Sequence, residues 1–302
     1  MRFLACVVLL LSIACRPGGA DHEHLGDVAL EKGDAAGALA EYEAAVAAQP
    51  GARIYAKEAA AAVRAHSLRE AAEAYRNLVA DDPSRLDEAA IGLDLVATAA
   101  ERTADPTALV AALSALRDIA PDRLSGRHAL ALWRMGGLDP QEAQMVLPYA
   151  AAAALDAGVA DSVLTAYGEA LAATTACDQA MRAFQAVERR SHDAGLRARA
   201  DSGIATCGQQ LGQQALTVNQ PWVAEKWFLA VLAADSTGVS GRRARLGLGD
   251  LRLAEGDILG AALAYQQVVA TGASGDSLGT IASRKLNALS GQSGDTATAK
   301  RP

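Results

Sequence analysis

The sequence predicts an all-α solenoid built from antiparallel helical hairpins. Of the 302 residues, 51% are hydrophobic but only 4% are aromatic, and alanine is very abundant. This balance favours closely packed helices, because alanine is the best helix former whereas strands prefer β-branched and aromatic residues. Segments with helical periodicity are separated by Pro, Gly or Asp, and one pattern of small and aromatic residues recurs along the chain.

The first element is an export signal. Arg2 supplies a positive charge, residues 3–11 form a short apolar run, and small residues then lead to Cys15. The apolar run is about half of the ~20 residues that a membrane-spanning helix needs. The sequence therefore predicts a cleaved signal peptide over residues 1–14.

The segment Ser12-Ile13-Ala14-Cys15 resembles the lipobox of bacterial lipoproteins. The resemblance implies that Cys15 is lipidated and becomes the new N-terminus, and that residues 15–21 form a short tether. Arg16 follows the cysteine where an Asp would imply retention at the inner membrane, so the expected location is the periplasmic face of the outer membrane. Ordinary cleavage after residues 18–20 is the alternative.

A recurring spacing defines the helical region, which we predict to cover residues 22–290. A small residue is followed by a second small residue and then by an aromatic ring, as in Gly26, Ala38 and Tyr42. The predicted packing residues at these positions are Gly26, Ala38, Tyr42, Ala71, Tyr75, Gly212, Ala224, Phe228, Gly249, Ala261 and Tyr265. Small residues let two helices cross closely, and the aromatic rings fill the groove between hairpins.

These spacings resemble the tetratricopeptide (TPR) repeat, whose period is about 34 residues. The resemblance is strongest over residues 22–83 and 200–290 and weaker over the degenerate middle, residues 86–199. In that middle, Gly158, Val163, Tyr167 and Ala170 fit the second helix of a repeat. Residues 291–302 are predicted to be a disordered tail.

Particular residues should end the helices. Gly33, Asn219 and Gly256 are expected to adopt the left-handed conformation that ends the first helix of a hairpin. Pro50 and Pro83 follow the second helices and stop them.

Few residues suggest catalysis or metal binding. Gly275-Asp276-Ser277-Leu278 matches the short signature of the GDSL hydrolases, but the last histidine, His192, lies upstream of it. The structural alternative is a turn in which Ser277 caps the final helix. His22 and His24 lack the further ligands of a closed metal site. We therefore predict no enzyme activity, no metal and no cofactor.

The expected mature chain retains two cysteines, Cys177 and Cys207. Export makes a disulfide between them feasible, and they could lie at similar heights on one hairpin. The sequence leaves a disulfide and two buried thiols equally open.

Charge is unevenly distributed along the chain, whose net charge is -7. Residues 15–180 hold 13 Lys/Arg against 25 Asp/Glu, whereas residues 181–302 hold 14 against 10. The acidic balance argues against nucleic acid as a partner. The basic half carries a candidate partner-binding set with Trp222 and Trp227 between its two groups: Arg189, Arg190, Arg197, Arg199, Arg242, Arg243 and Arg245. Core packing is the alternative for both tryptophans.

The predicted function is a membrane-anchored TPR scaffold that binds peptide or helical segments of bacterial envelope proteins. Binding of an anionic envelope polymer through the basic half is an alternative. Head-to-tail self-association of the acidic and basic halves is another.

Overall fold

The computed structural model describes residues 18–272 and 276–298. Every regular element in these ranges is a helix, which confirms the predicted all-α class. The chain divides into two compact units, one ending at His128 (unit 1) and one beginning at Ala129 (unit 2). The predicted signal peptide and Cys15 lie outside the described residues.

Unit 1 contains helices joined by short connections. They are α1 Gly19–Glu31, α2 Ala35–Ala48, α3 Ala52–Arg64, α4 Leu68–Asp81, α5 Leu86–Thr103 and α6 Pro106–Ile119. Single 3-10 turns, Pro83–Arg85 and Pro121–Arg123, follow α4 and α6. Contacts between α1 and α2, α3 and α4, and α5 and α6 make these pairs helical hairpins.

Helix α7, Gly126–Met135, begins in unit 1 and ends in unit 2. The remaining helices are α8 Pro140–Ala153, α9 Ala157–Ala173, α10 Cys177–Arg190, α11 Ala194–Thr217, α12 Pro221–Ala234, α13 Val239–Ala254, α14 Ile258–Ala270 and α15 Ser277–Thr298. Across the described ranges, no helix is both long and apolar enough to cross a membrane.

The turns inside the hairpins use the left-handed backbone, as predicted. Gly33, Asn219 and Gly256 have φ angles of 79°, 57° and 84°. The sequence did not reveal that Ala104 and Thr175 occupy the same kind of turn, with φ of 51° and 63°. A side chain is disfavoured in this conformation, so residue type alone gave no signal there.

Close contact between a glycine and an aromatic ring holds the hairpins together. A Cβ added to Gly26 would lie 2.5 Å from the Tyr42 ring. Gly212 and Gly249 show the same 2.5 Å approach to the ring that lies 16 residues after each of them, in Phe228 and Tyr265. All eleven predicted packing residues are buried.

One repeat was assigned to the wrong phase. Gly168 of α9 packs on Phe184 of α10, again 16 residues later, where an added Cβ would lie 2.6 Å from the ring. Helix α9 is therefore the first helix of its hairpin, and the prediction that Gly158 to Ala170 form a second helix was wrong. The glycine-to-aromatic spacing could have revealed Phe184, which is 1% exposed.

Helix ends differ from the prediction at both termini. Helix α1 begins at Gly19, inside the segment predicted to be a tether. Helix α15 continues to Thr298 and so includes most of the predicted disordered tail. A helix extends readily from turns that are already packed, because each added residue forms one backbone hydrogen bond. At the start of α15, Asp276 rather than Ser277 accepts the capping bond, from the Gly279 N–H at 3.0 Å.

A disulfide links α10 to α11. Cys177 and Cys207 are bonded through their Sγ atoms, and their Cα atoms lie 5.1 Å apart. Both residues are buried in a cluster with Met181, Phe184 and Ile204. The bond therefore links the second helix of one hairpin, α10, to the first helix of the next, α11, within their shared core.

A group of three carboxylates lies on α2, α3 and α4. Burial, together with the neighbouring Glu43 and Glu73 carboxylates, raises the pKa of Glu58 to about 7, and burial is the larger cause. Glu58 is thus protonated in the folded protein over a range of pH where the unfolded chain is ionised.

The disulfide should contribute substantially to stability. It joins residues 30 apart, and restricting a loop of that length in the unfolded chain is worth about 3–4 kcal/mol. We expect Cys177→Ala/Cys207→Ala to lower the free energy of unfolding by roughly that amount in chemical denaturation. Reductant should destabilise the wild type but not the variant, and equal stability of the two proteins without reductant would contradict the prediction.

Glu58 should make stability depend on pH. Because its folded pKa of about 7 exceeds the ordinary value of 4.5, the wild type loses stability as pH rises through this interval. Glu58→Gln removes this loss. The free energy of unfolding of the variant, relative to that of the wild type, should therefore increase between pH 5 and pH 8 by on the order of 1 kcal/mol, a figure reduced for the partial exposure of Glu58. Denaturation at both pH values measures this, with the exposed Glu43→Gln as a weaker control. A difference in stability between Glu58→Gln and the wild type that does not change with pH would contradict the prediction.

Candidate partner-binding surface

The predicted arginine set does not form one accessible cluster. Arg242 is only 6% exposed. Its guanidinium donates to the Val268 carbonyl oxygen at 3.0 and 3.2 Å and to an Asp276 carboxylate oxygen at 2.8 Å. The hydrogen bond from Arg242 holds the pKa of Asp276 below its usual value. Arg242 thus joins α13 to the ends of α14 and α15, and its prediction as a partner contact was wrong.

Two further arginines pair within the chain. Arg190 hydrogen-bonds the buried carboxylate of Asp161. Arg199 donates two hydrogen bonds to Glu169, at 2.9 and 2.6 Å, and this pairing raises the pKa of Arg199. Arg189, Arg197 and Arg243 are exposed and Arg245 is half-buried. These four remain predicted contacts.

Carboxylates that directly follow the packing glycines link successive first helices. Asp27 follows Gly26 and accepts from Lys57 of α3 at 2.7 Å. Asp250 follows Gly249 and accepts from Lys285 of α15 at the same distance. Glu169 follows Gly168 and pairs with Arg199 of α11. We call these three ion pairs the first-helix clasps.

Two of the clasps include the packing tyrosine of their hairpin. The Tyr42 hydroxyl donates to Asp27 at 2.7 Å, and the Tyr265 hydroxyl donates to Asp250 at 2.6 Å. Burial and the adjacent carboxylate raise the pKa of both tyrosines. Burial alone would raise the pKa of Asp27, but hydrogen bonds from Lys57 and Tyr42 lower it overall. The first helices thus satisfy these charges internally, which leaves them poorly available to a partner.

A buried histidine makes a related contact in unit 1. His128 is 0% exposed. Its Nε2 atom lies 3.1 Å from Asp94, and its Nδ1 atom contacts Glu101. Both ring nitrogens of His128 therefore face carboxylates of α5.

An apolar cavity opens between α7, α8 and α9 in unit 2. Its volume is about 380 Å³. Glu169 is the one charged side chain among its lining residues, which are Trp133, Gly136, Gly137, Leu138, Pro140, Ala143, Leu147, Ala166, Glu169, Ala170 and Ala173. We call it the α7–α9 cavity. Its size falls in the range of ligand-binding pockets in proteins.

Exposed apolar side chains mark other surfaces. On the first helix α5, Ile91 and Leu95 are 60% and 55% exposed one turn apart. On the second helices of unit 2, Trp222 and Leu259 are 72% and 73% exposed. Core packing of Trp222 is therefore excluded, whereas Trp227 packs against the cluster around the disulfide. By contrast, the outer face of α4 carries the exposed charges Arg69, Glu73 and Arg76.

The candidate chemical motifs have structural roles. Asp276 of the Gly-Asp-Ser-Leu segment caps α15 and binds Arg242. His22 contacts Glu41 at 2.7 Å. Within the described part of the chain, no group of three or more His, Cys, Asp or Glu side chains is arranged to hold a metal ion.

Comparison with known proteins gives only distant structural similarity. No protein-family model and no characterised protein matches the sequence. Yeast Tom70 has 14% identity and a TM-score of 0.34, with 91% of this chain covering 54% of that one, so the chain spans about half of Tom70. A TPR protein of Cytophaga hutchinsonii has 13% identity and a TM-score of 0.34, covering 84% and 97% of the two chains. The TPR2AB domain of yeast Sti1, in complex with pHSP90, has 12% identity and a TM-score of 0.29, covering 90% and 96%. Because these TM-scores are low, the description of the fold rests on the contacts within the helical hairpins.

Proposed function

We propose that this protein is a lipid-anchored, TPR-like scaffold that binds segments of other proteins in the bacterial cell envelope. The observation that carries the binding role is the α7–α9 cavity, an apolar site that the chain does not fill with its own side chains. Paired helices hold such a site in a fixed shape, which suits recognition of an extended or helical segment.

The first-helix clasps support recognition by apolar contact. Asp27, Glu169 and Asp250 are each engaged by a cation of the same chain. A partner would have to break these pairs to use the charges. Exposed apolar groups such as Leu95 of α5, and the apolar lining of the cavity, are available at no such cost.

The alternative of binding an anionic polymer receives less support. It relied on the arginines of the C-terminal half, yet Arg242 is buried and Arg190 and Arg199 are paired. The remaining basic side chains are spread over α10, α11 and α13.

The membrane anchor is proposed from the sequence at residues 12–15. Several acyl chains on one cysteine would hold the protein firmly, because each buried CH₂ contributes about 0.8 kcal/mol. The Arg16 that follows supports the outer membrane as the site of anchoring.

Lipidation should depend on Cys15 alone. We expect cells of the native host grown with labelled palmitate to label the wild type and Cys6→Ser equally, and to leave Cys15→Ser unlabelled. Label that persists in Cys15→Ser, or that never appears in the wild type, would contradict the proposed anchor.

Partner binding should involve the exposed apolar surface of α5 and the rim of the α7–α9 cavity. A photo-crosslinking residue placed at Leu95 of α5 or at Ala173 beside the cavity should give adducts with a defined envelope protein, identified by mass spectrometry. The same residue at Ala80, on the exposed face of the second helix α4, should give none. Adducts must recur when the identified partner carries the crosslinker. A lack of protein adducts at both first-helix positions would refute the scaffold function.

A further inference from the structure

The α7–α9 cavity occurs at a hairpin that lacks the usual aromatic ring. In α8, Ala143, Leu147 and Ala150 have the same spacing as Ala180, Phe184 and Val187 in α10. Leu147 therefore occupies the position that an aromatic ring fills in five other hairpins, namely Tyr42, Tyr75, Phe184, Phe228 and Tyr265. In α6 the same position is held by Leu113, which is fully buried. Leucine fills less of the groove than these rings.

The other side of the cavity confirms this register. Phe184 packs against Gly203 of the next first helix, and Phe228 packs against Gly247, in each case 19 residues later. Ala166 of α9 lies 19 residues after Leu147, and both residues line the cavity. The open volume thus adjoins the side chain that replaces the ring.

The lining suits an aromatic guest. Trp133 at the end of α7 offers a ring for edge or offset stacking. Ala143, Ala166 and Ala170 supply small apolar surface on α8 and α9. A ring placed there would bury apolar area much as Phe184 and Phe228 do in their own hairpins.

The surrounding charge is acidic. Asp139 and Glu142 lie beside the lining residue Pro140 at the start of α8, where they form the capping box of that helix. Asp161 and Glu169 of α9 are already paired with Arg190 and Arg199. The two carboxylates at the start of α8 would favour lysine or arginine beside the guest ring.

We propose that the α7–α9 cavity binds an aromatic side chain carried by a basic segment of a partner protein. This inference rests on the proposed scaffold function and names the chemistry of its partner. The ring would enter between Leu147 and Ala166, while the flanking cations would lie near Asp139 and Glu142 at the start of α8.

Three synthetic ten-residue peptides provide the probes: a lysine-rich peptide with one central Phe, the same peptide with Ala in its place, and a Phe peptide flanked by Glu. Fluorescence anisotropy would measure their binding to the full-length protein in detergent micelles. The Lys-flanked Phe peptide should bind at least tenfold more tightly than either of the others. Equal binding of the Phe and Ala peptides, or tighter binding of the Glu-flanked peptide, would overturn the proposal.

Cavity-filling variants locate the site. Ala166→Phe places a ring inside the cavity and should weaken binding of the Phe peptide at least tenfold. Ala173→Tyr, at the exposed rim, should do the same without disturbing the core, which guards against misfolding of the first variant. Ala111→Phe fills a different cavity of about 310 Å³, lined by α4 and α6, and should leave binding unchanged. Binding that survives both cavity variants would overturn the proposal.

Failure of this inference is separable from failure of the scaffold function. If the crosslinker at Leu95 gives protein adducts but the peptides do not bind in the cavity, the scaffold function stands and the aromatic pocket is refuted. Peptide binding in the cavity without any protein adduct from Leu95 or Ala173 would support the pocket and refute the scaffold. A cavity that takes free aromatic compounds but not the peptide would show a small-molecule site and overturn the proposal.

Discussion

Contact between an aromatic ring and a residue without a side chain is the constraint on which both units depend. Tyr42 in unit 1, and Phe184, Phe228 and Tyr265 in unit 2, each occupy space that a Cβ on the facing glycine would invade. Each ring is at most 1% exposed. The helices can approach this closely only where one of them has no side chain, so the glycine and the ring specify one another. A hairpin with a larger residue at the glycine position would have to move apart.

The same contact organises the charges. The residue after Gly26, Gly168 and Gly249 is acidic, and each carboxylate reaches a cation on the next first helix. In two cases a tyrosine hydroxyl completes the arrangement. A partly buried carboxylate that accepts several hydrogen bonds is well satisfied, whereas removing one donor would leave it costly. These carboxylates on the first helices therefore have a structural role in the packing of the hairpins.

Leucine stands in place of the ring in α6 and in α8. Leu113 of α6 is fully buried, whereas the volume beside Leu147 of α8 remains open between α7, α8 and α9. The packing of the surrounding helices therefore decides whether the smaller side chain leaves a cavity.

Local patterns in the sequence determined the helical class, the hairpins over residues 22–83 and 200–290, and the left-handed turns at Gly33, Asn219 and Gly256. These features depend on residues close together in the chain, where periodicity and conformational preference suffice. Tertiary structure decided the rest. It showed that Cys177 reaches Cys207, that Arg242 turns inward to Val268 and Asp276, and that a cavity lies beside Leu147. Each of these depends on which helices become neighbours and how they are rotated, and the identity of one residue does not encode either quantity.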